Sequence, residues 1–94
     1  MQNNNLKGKI AVITGCNKGI GKAILSEYAK NGVNCISCVR SVSDDFKAFC
    51  QNLSEENNVK VSIVKMDLSD NKLVSESVKE IFKISKKIDI LVNN

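Results

Sequence analysis

The stretch that decides the fold is VITGCNKGIGKAI, residues 12–24. It opens on β-branched apolar residues with almost nothing polar before Thr14, which predicts a strand buried on both faces, as in a parallel sheet. After it, three of the chain's five glycines, Gly15, Gly19 and Gly21, precede a segment with the period of an amphipathic helix. The inward stripe of that helix is predicted to comprise Ile20, Ala23, Ile24 and Tyr28.

The glycine turn has the properties of a phosphate site. In an open parallel sheet a strand-to-helix turn lies at the carboxyl edge, where ligands bind, and the helix start offers unpaired N–H groups. A Cβ at Gly19 or Gly21 would push a pyrophosphate away or lift the helix off the sheet. The pattern predicts a dinucleotide site, and the alternative is that the glycines serve packing alone. The P-loop pattern GxxxxGK[ST] is absent.

The rest of the chain alternates between strands and helices. Strands are predicted at 9–14, 34–39, 59–66 and 88–92, and the intervening segments have helical periodicity. We expect Gly32 to end the first helix, Ser43 to begin the second and Asp70 to cap the third. The order β-α-β-α-β-α-β predicts an α/β fold, a doubly wound parallel sheet. The inward residues of the third helix are predicted to be Leu73, Val74, Ser77, Val78, Ile81 and Phe82.

Length and charge narrow the class of protein. Ninety-four residues make one domain at most, and 43% hydrophobic with 26% charged residues is ordinary for a globular chain. The net charge of +4 comes from dispersed lysines with few aromatic residues, which argues against a nucleic-acid partner. No apolar run approaches the ~18 residues of a membrane span, and no signal peptide is recognisable. Because the last predicted strand has no helix after it, we expect residues 1–94 to be part of a larger domain.

The four cysteines are expected to be core residues. Cys35 and Cys38 form a CxxC, but the chain has no histidine and no second cysteine pair to complete a zinc site. Both lie in a predicted strand, where residues three apart point to opposite faces. We therefore predict reduced thiols, no metal and a cytoplasmic setting.

The ends of the second and third strands bear on the choice of dinucleotide. Val39 is followed by Arg40 and Ser41, with no acidic residue at either position. Lys18, in the glycine turn, can approach the same phosphate as Arg40. An arginine attracts a 2′-phosphate that an acid would repel, which favours NADP(H), with NAD(H) possible. The alternative is that both cations are surface charges. Asp67, after the third strand, could accept from an adenine amino group or cap the next helix.

Three motifs resemble those of the classical short-chain dehydrogenases/reductases, a Rossmann-type family. TGCNKGIG (14–21) is similar to the family's TGxxxGIG, DLSD (67–70) stands where the family has its adenine-contacting Asp, and DILVNN (89–94) resembles the start of DxLVNNAG. The nearest pattern is that of 3-oxoacyl-[acyl-carrier-protein] reductases. The resemblance implies cofactor contacts at Gly15, Asn17, Lys18, Gly19, Ile20, Gly21, Arg40, Ser41, Asp67, Leu68, Asn93 and Asn94.

The resemblance also implies a reaction: hydride transfer between nicotinamide and a carbonyl or alcohol substrate, such as a 3-oxoacyl group. The family's catalytic Tyr, Lys, Ser and Asn would lie beyond residue 94, so no catalytic residue is assigned here. Tyr28, the only tyrosine, has no YxxxK around it and is expected to be a core residue. The whole protein would be a homodimer or homotetramer. The alternative is a non-catalytic dinucleotide-binding or regulatory module.

Overall fold

The computed structural model describes residues 4–94 and shows a single parallel sheet with helices on both faces. After a short 3₁₀ helix (Asn4–Leu6), the strands are β1 (Ile10–Thr14), β2 (Asn34–Val39), β3 (Val61–Lys65) and β4 (Ile90–Val92). The helices are α1 (Gly19–Lys30), α2 (Asp44–Asn57) and α3 (Asn71–Ile84). The strand order is β3-β2-β1-β4 with every pairing parallel, which confirms the predicted Rossmann-type α/β fold.

Strand alternation divides the core between the two faces of the sheet. On the face covered by α1 and α2, Ile13, Leu25 and Phe46 belong to one buried cluster. On the opposite face, Ile36 of β2 and Ile81 of α3 belong to a second cluster. Both clusters are mostly aliphatic, and they anchor the helices to the sheet whose strand ends carry the site residues.

The prediction that the four cysteines are core residues is confirmed. Cys35 lies in the first cluster and Cys38 in the second, on opposite faces of β2. All four thiols are free and buried. Burial raises the pKa of Cys35 and of Cys38 to about 12, so both are protonated core groups at neutral pH.

The predicted helix ends are also confirmed. The Ser43 hydroxyl accepts a hydrogen bond from the Phe46 N–H at 3.1 Å and so caps α2. One carboxylate oxygen of Asp70 accepts from the N–H groups of Lys72 and Leu73 at the start of α3. Gly32 follows α1 with φ of +81°, a conformation that glycine adopts without strain.

The predicted inward stripe of α1 is partly wrong. Gly21, Leu25 and Ala29 are the buried residues of α1, whereas Ile20 is 74% exposed and Ala23 is exposed as well. The reason is that Gly21 brings the helix close to the preceding turn, and hydrophobic periodicity does not count a glycine as an inward position. Ile24 and Tyr28 are half-buried against the core, as predicted.

On α3 the predicted inward face is too wide. Ser77 and Ile81 are buried and Val74 is half-buried, but Leu73, Val78 and Phe82 are 40–48% exposed. Within the described part of the chain α3 is alone on its face of the sheet, so it contacts the strands through a narrow stripe and its flanks stay in solvent.

Candidate functional site

A cavity of about 310 Å³ opens at the carboxyl edge of the sheet, where β1, β2 and β3 end. Because the strands are parallel, the residues that follow them lie at the same edge of the sheet, and ligands bind at this carboxyl edge in this class of sheet. Six of the residues predicted for the site form part of its wall: Gly15, Asn17, Arg40, Asp67, Leu68 and Asn94. The remaining wall is formed by Thr14, Cys38, Met66 and Ser69.

The glycines of the turn serve two different purposes. A Cβ on Gly21 would lie far inside contact distance of the Gly15 carbonyl oxygen and 2.6 Å from Asn94 Nδ2, so Gly21 is required by the packing of α1 on its own turn. Gly19 has φ of +61°, and a Cβ there would meet no atom within 4 Å. Packing therefore explains Gly21, whereas the space beside Gly19 is open.

The start of α1 has the polarity of an anion site. Lys18 is the N-cap in an extended conformation, its side chain makes no capping hydrogen bond, and the first turn holds no acidic residue. Unpartnered N–H groups and the positive end of the helix dipole attract negative charge. Lys18 and Ile20 are exposed on this turn and lie outside the cavity wall.

The end of β4 is fastened to the glycine turn. Asn94 donates from Nδ2 to the Gly15 carbonyl at 3.2 Å and from its backbone N–H to Thr14 Oγ1 at 3.1 Å. Thr14 Oγ1 in turn donates its proton either to Asn93 Oδ1 at 3.2 Å or to the Val92 carbonyl at 3.4 Å. These bonds hold Asn94 against the turn and so fix one wall of the cavity.

A carboxylate and a guanidinium face each other across the ends of β2 and β3. Asp67 Oδ1 accepts from the Ser69 N–H at 3.0 Å and from Ser69 Oγ at 2.6 Å, while Oδ2 lies 3.7 Å from Arg40 Nε. The Ser69 hydrogen bonds, followed by the charges of Arg40 and Lys65, lower the pKa of Asp67. Asp67 is thus a carboxylate at neutral pH. It does not cap α3, since Asp70 does.

Ser41 lies in a neighbouring cavity of about 470 Å³ rather than in the first one. Arg40 and Asp67 form part of the wall of both cavities, so the ion pair stands on the ridge between them. Arg40 is 81% exposed in its side chain, and Ser41 is exposed beside it.

Sequence reasoning did not single out Thr14, Cys38, Met66 or Ser69 as parts of the site. Thr14, Cys38 and Met66 read as strand residues, and Ser69 as part of a helix start. The signal that could have found them is position, because each lies at or just after the carboxyl end of a strand, at the edge that forms the cavity.

The strand order and the helices on both faces define a Rossmann-type α/β domain. The family model described as short chain dehydrogenase matches residues 9–94, and the chain belongs to that family. It is 35% identical over 92 residues to mouse (Mus musculus) retinol dehydrogenase 12, covering 98% of this chain and 29% of the relative. It is 34% identical over 89 residues to the 3-oxoacyl-[acyl-carrier-protein] reductase FabG of Aquifex aeolicus, covering 95% and 36%.

A solved structure has the same architecture. L-sorbose reductase from Gluconobacter frateurii, determined with NADPH and L-sorbose, superposes with a TM-score of 0.85 at 36% identity, over 95% of this chain and 34% of that protein. The chain thus spans about a third of the length of the relatives it matches. These relatives are oxidoreductases by name.

Two other kinds of feature are absent from residues 4–94. None of the helices there is both long and apolar enough to span a bilayer. No group of three or more Cys, Asp or Glu side chains in that range is arranged to hold a metal ion.

Proposed function

We propose that this chain is the coenzyme-binding part of an NADP(H)-dependent short-chain dehydrogenase/reductase. The observation that carries the proposal is the cavity at the carboxyl edge, whose wall includes Gly15 and Asn17 of the turn that leads into α1, together with Arg40 after β2. When bound, the nicotinamide coenzyme supplies or accepts a hydride, and this chain's residues bind and orient it.

The residues fit such a coenzyme. The open space beside Gly19 and the unpartnered N–H groups at the start of α1 suit a pyrophosphate, with Lys18 adding positive charge. We assign the adenine to the wall formed by Asp67 and Leu68, because a carboxylate can accept from its amino group. The remaining contacts are assigned to Gly15, Asn17, Ile20, Gly21, Ser41 and Asn94.

The preference for NADP(H) over NAD(H) rests on Arg40. It follows β2 directly, and the position after it is Ser41 rather than an acid. A guanidinium can bind two phosphate oxygens at once, whereas a carboxylate there would accept from the ribose hydroxyls of NAD(H) and repel a 2′-phosphate. The similarity to a reductase determined with NADPH supports the same preference.

The reaction we propose is reduction of a carbonyl or oxidation of an alcohol, with a 3-oxoacyl group as the candidate substrate through the similarity to a 3-oxoacyl-[acyl-carrier-protein] reductase. We propose that a catalytic Tyr, Lys, Ser and Asn are supplied by sequence beyond residue 94, in a homo-oligomeric, cytoplasmic protein with no nucleic-acid partner. Tyr28 is not a candidate, because it is half-buried against the core on the α1 face of the sheet.

The test is coenzyme binding by the intact protein, measured by fluorescence titration with NADPH and with NADH. We expect NADPH to bind more tightly, and Arg40→Asp to weaken NADPH binding by about 10- to 100-fold, since a charge-assisted hydrogen bond is worth roughly 1.5–3 kcal/mol. Lys30→Asp, the same charge change at the other end of α1, is the matched control and should leave both affinities unchanged.

Equal affinities for the two coenzymes in the unmodified protein, or an Arg40→Asp variant that keeps its preference for NADPH, would contradict the assignment of Arg40. Coenzyme binding without hydride transfer to any carbonyl substrate would favour a non-catalytic dinucleotide-binding or regulatory module instead.

A further inference from the structure

We infer that Ser69 is a positioning residue for recognition of the 2′-phosphate, acting through Asp67 on the guanidinium of Arg40. The inference rests on the proposed function, because it concerns how the same site tells NADPH from NADH. None of the three sequence motifs singles out Ser69 for this role, and the proposed action of Ser69 passes through Asp67 instead of a contact with the phosphate.

The two oxygens of the Asp67 carboxylate have different partners. Oδ1 accepts from the Ser69 N–H at 3.0 Å and from Ser69 Oγ at 2.6 Å, a short bond typical of a hydroxyl that donates to a charged acceptor. With Oδ1 held from one side, the carboxylate plane is fixed and Oδ2 is directed at Arg40 Nε, 3.7 Å away. The lowered pKa of Asp67 agrees, since the Ser69 hydroxyl is its largest cause.

Arg40 makes this ion pair through its Nε atom, and this determines which donors remain for a phosphate. Arginine has five N–H donors, one on Nε and four on the two Nη atoms. Because the pair is made through Nε, it leaves the Nη donors to a phosphate, so Arg40 can contact Asp67 and bind two phosphate oxygens together. Asp67 in this arrangement supports phosphate binding rather than competing with it.

Arg40 needs such support because little else confines it. Its side chain is 81% exposed, and a mobile arginine side chain loses rotamer entropy when a ligand immobilises it. A partner that holds the guanidinium on the ridge between the two cavities before the ligand arrives lowers that cost. Asp67 is only 25% exposed and is itself held by Ser69, so it is the fixed member of the pair.

The experiment compares Ser69→Ala with the unmodified intact protein by titration with NADPH and NADH. Both coenzymes carry the same adenine, so any disturbance of the adenine wall raises both dissociation constants and cancels in their ratio. The 2′-phosphate occurs only in NADPH. We expect Ser69→Ala to reduce the preference for NADPH about three- to fivefold, the scale of a partly exposed ion pair. Ser69→Thr, which keeps the hydroxyl, should retain the preference.

Two further variants separate positioning from a local structural effect. In an Arg40→Ala background, Ser69→Ala should leave the ratio of the two dissociation constants unchanged, because no guanidinium remains to be positioned. Ser75→Ala, on an exposed position of α3, is the matched serine control and should behave like the unmodified protein.

The inference is overturned if Ser69→Ala weakens both coenzymes equally, if it increases the preference for NADPH, or if its effect on the ratio persists without Arg40. Those results leave the proposed function intact. By contrast, an unmodified protein that binds neither coenzyme would overturn the proposed function, and with it the role of Ser69.

Discussion

Replacing Gly21 by alanine tests the account of the glycine turn most directly. The new Cβ would lie 2.6 Å from Asn94 Nδ2, 2.9 Å from the Gly15 carbonyl carbon and closer still to the Gly15 carbonyl oxygen. Real Cβ atoms essentially never approach other atoms closer than 3.0 Å, so the amide of Asn94 would have to move by at least 0.4 Å and the backbone of Gly15 by more.

The cost of this shift follows from what must move. Gly15 has φ of +60° and its N–H donates to the Cys38 carbonyl, so the carbonyl that blocks the Cβ is part of a fixed turn. Overpacking of a close-packed site costs about 1–3 kcal/mol, and we expect Gly21→Ala to lie near 3 kcal/mol because a backbone rather than a flexible side chain is displaced.

Gly19→Ala is the matched control within the same turn. A Cβ there meets nothing, and only the positive φ opposes it, at about 1–2 kcal/mol for an L-residue. The lower entropy of the unfolded alanine chain offsets about 0.4–1 kcal/mol of this. We therefore expect Gly19→Ala to lower the free energy of unfolding by about 0–1.6 kcal/mol, less than Gly21→Ala.

The measurement is urea unfolding of the intact protein and both variants, followed by far-ultraviolet circular dichroism. The midpoint should fall clearly for Gly21→Ala and little for Gly19→Ala, whereas coenzyme affinity should fall for Gly19→Ala as well. Equal midpoints for the two variants would refute the assignment of Gly21 to packing. Unchanged NADPH affinity in Gly19→Ala would count against a pyrophosphate beside Gly19.

The remaining predictions concern the core and the sheet. Leu25→Ala, which truncates a fully buried side chain, should lower the free energy of unfolding by about 2–5 kcal/mol in the urea assay; a loss under 1 kcal/mol would contradict its place in the core. Asp89 accepts from the Ile10 N–H at 2.9 Å, and this bond, ahead of the nearby lysine charges, lowers its pKa. A lowered pKa contributes stability at neutral pH that is lost as the pH falls through the folded-state value. Asp89→Ala should therefore reduce the melting temperature at pH 7, and the difference should begin to shrink below about pH 3.9, the ordinary pKa of Asp, and close at a lower pH. A pH-independent difference would argue against this role of Asp89. The four buried thiols should react with a thiol reagent only on unfolding, and rapid labelling of the native protein would show that the turn, β2 or α2 opens.

Local sequence was sufficient for the strands, the helix ends and the position of the glycine turn. These features depend only on residues that are close in sequence, so they can be recognised without the fold. They are the runs of β-branched residues, the Ser or Asp before α2 and α3, and Gly32 after α1. The candidate site residues Gly15, Arg40 and Asp67 were predicted in this way, and the structure brings all three to the wall of one cavity.

Other features depend on contacts between distant parts of the chain. The inward face of α1 is set by the close approach of Gly21 to Gly15 and Asn94. Hydrophobic periodicity does not predict this contact, because a glycine has no apolar side chain to mark it. The Thr14–Asn94 hydrogen bond joins residues 80 positions apart. The pairing of Arg40 with Asp67 likewise exists only because β2 and β3 are neighbours in the sheet.

The sequence by itself determined the order of the elements, the ends of the helices and the chemistry available at each strand end, because these follow from side-chain patterns and hydrogen bonds between near neighbours. Only the tertiary structure decided which glycine serves packing and which leaves open space, and which oxygen of Asp67 faces Arg40. Those outcomes follow from the strand order and from where α1 and α3 rest on the sheet, which are consequences of the packing of the whole chain.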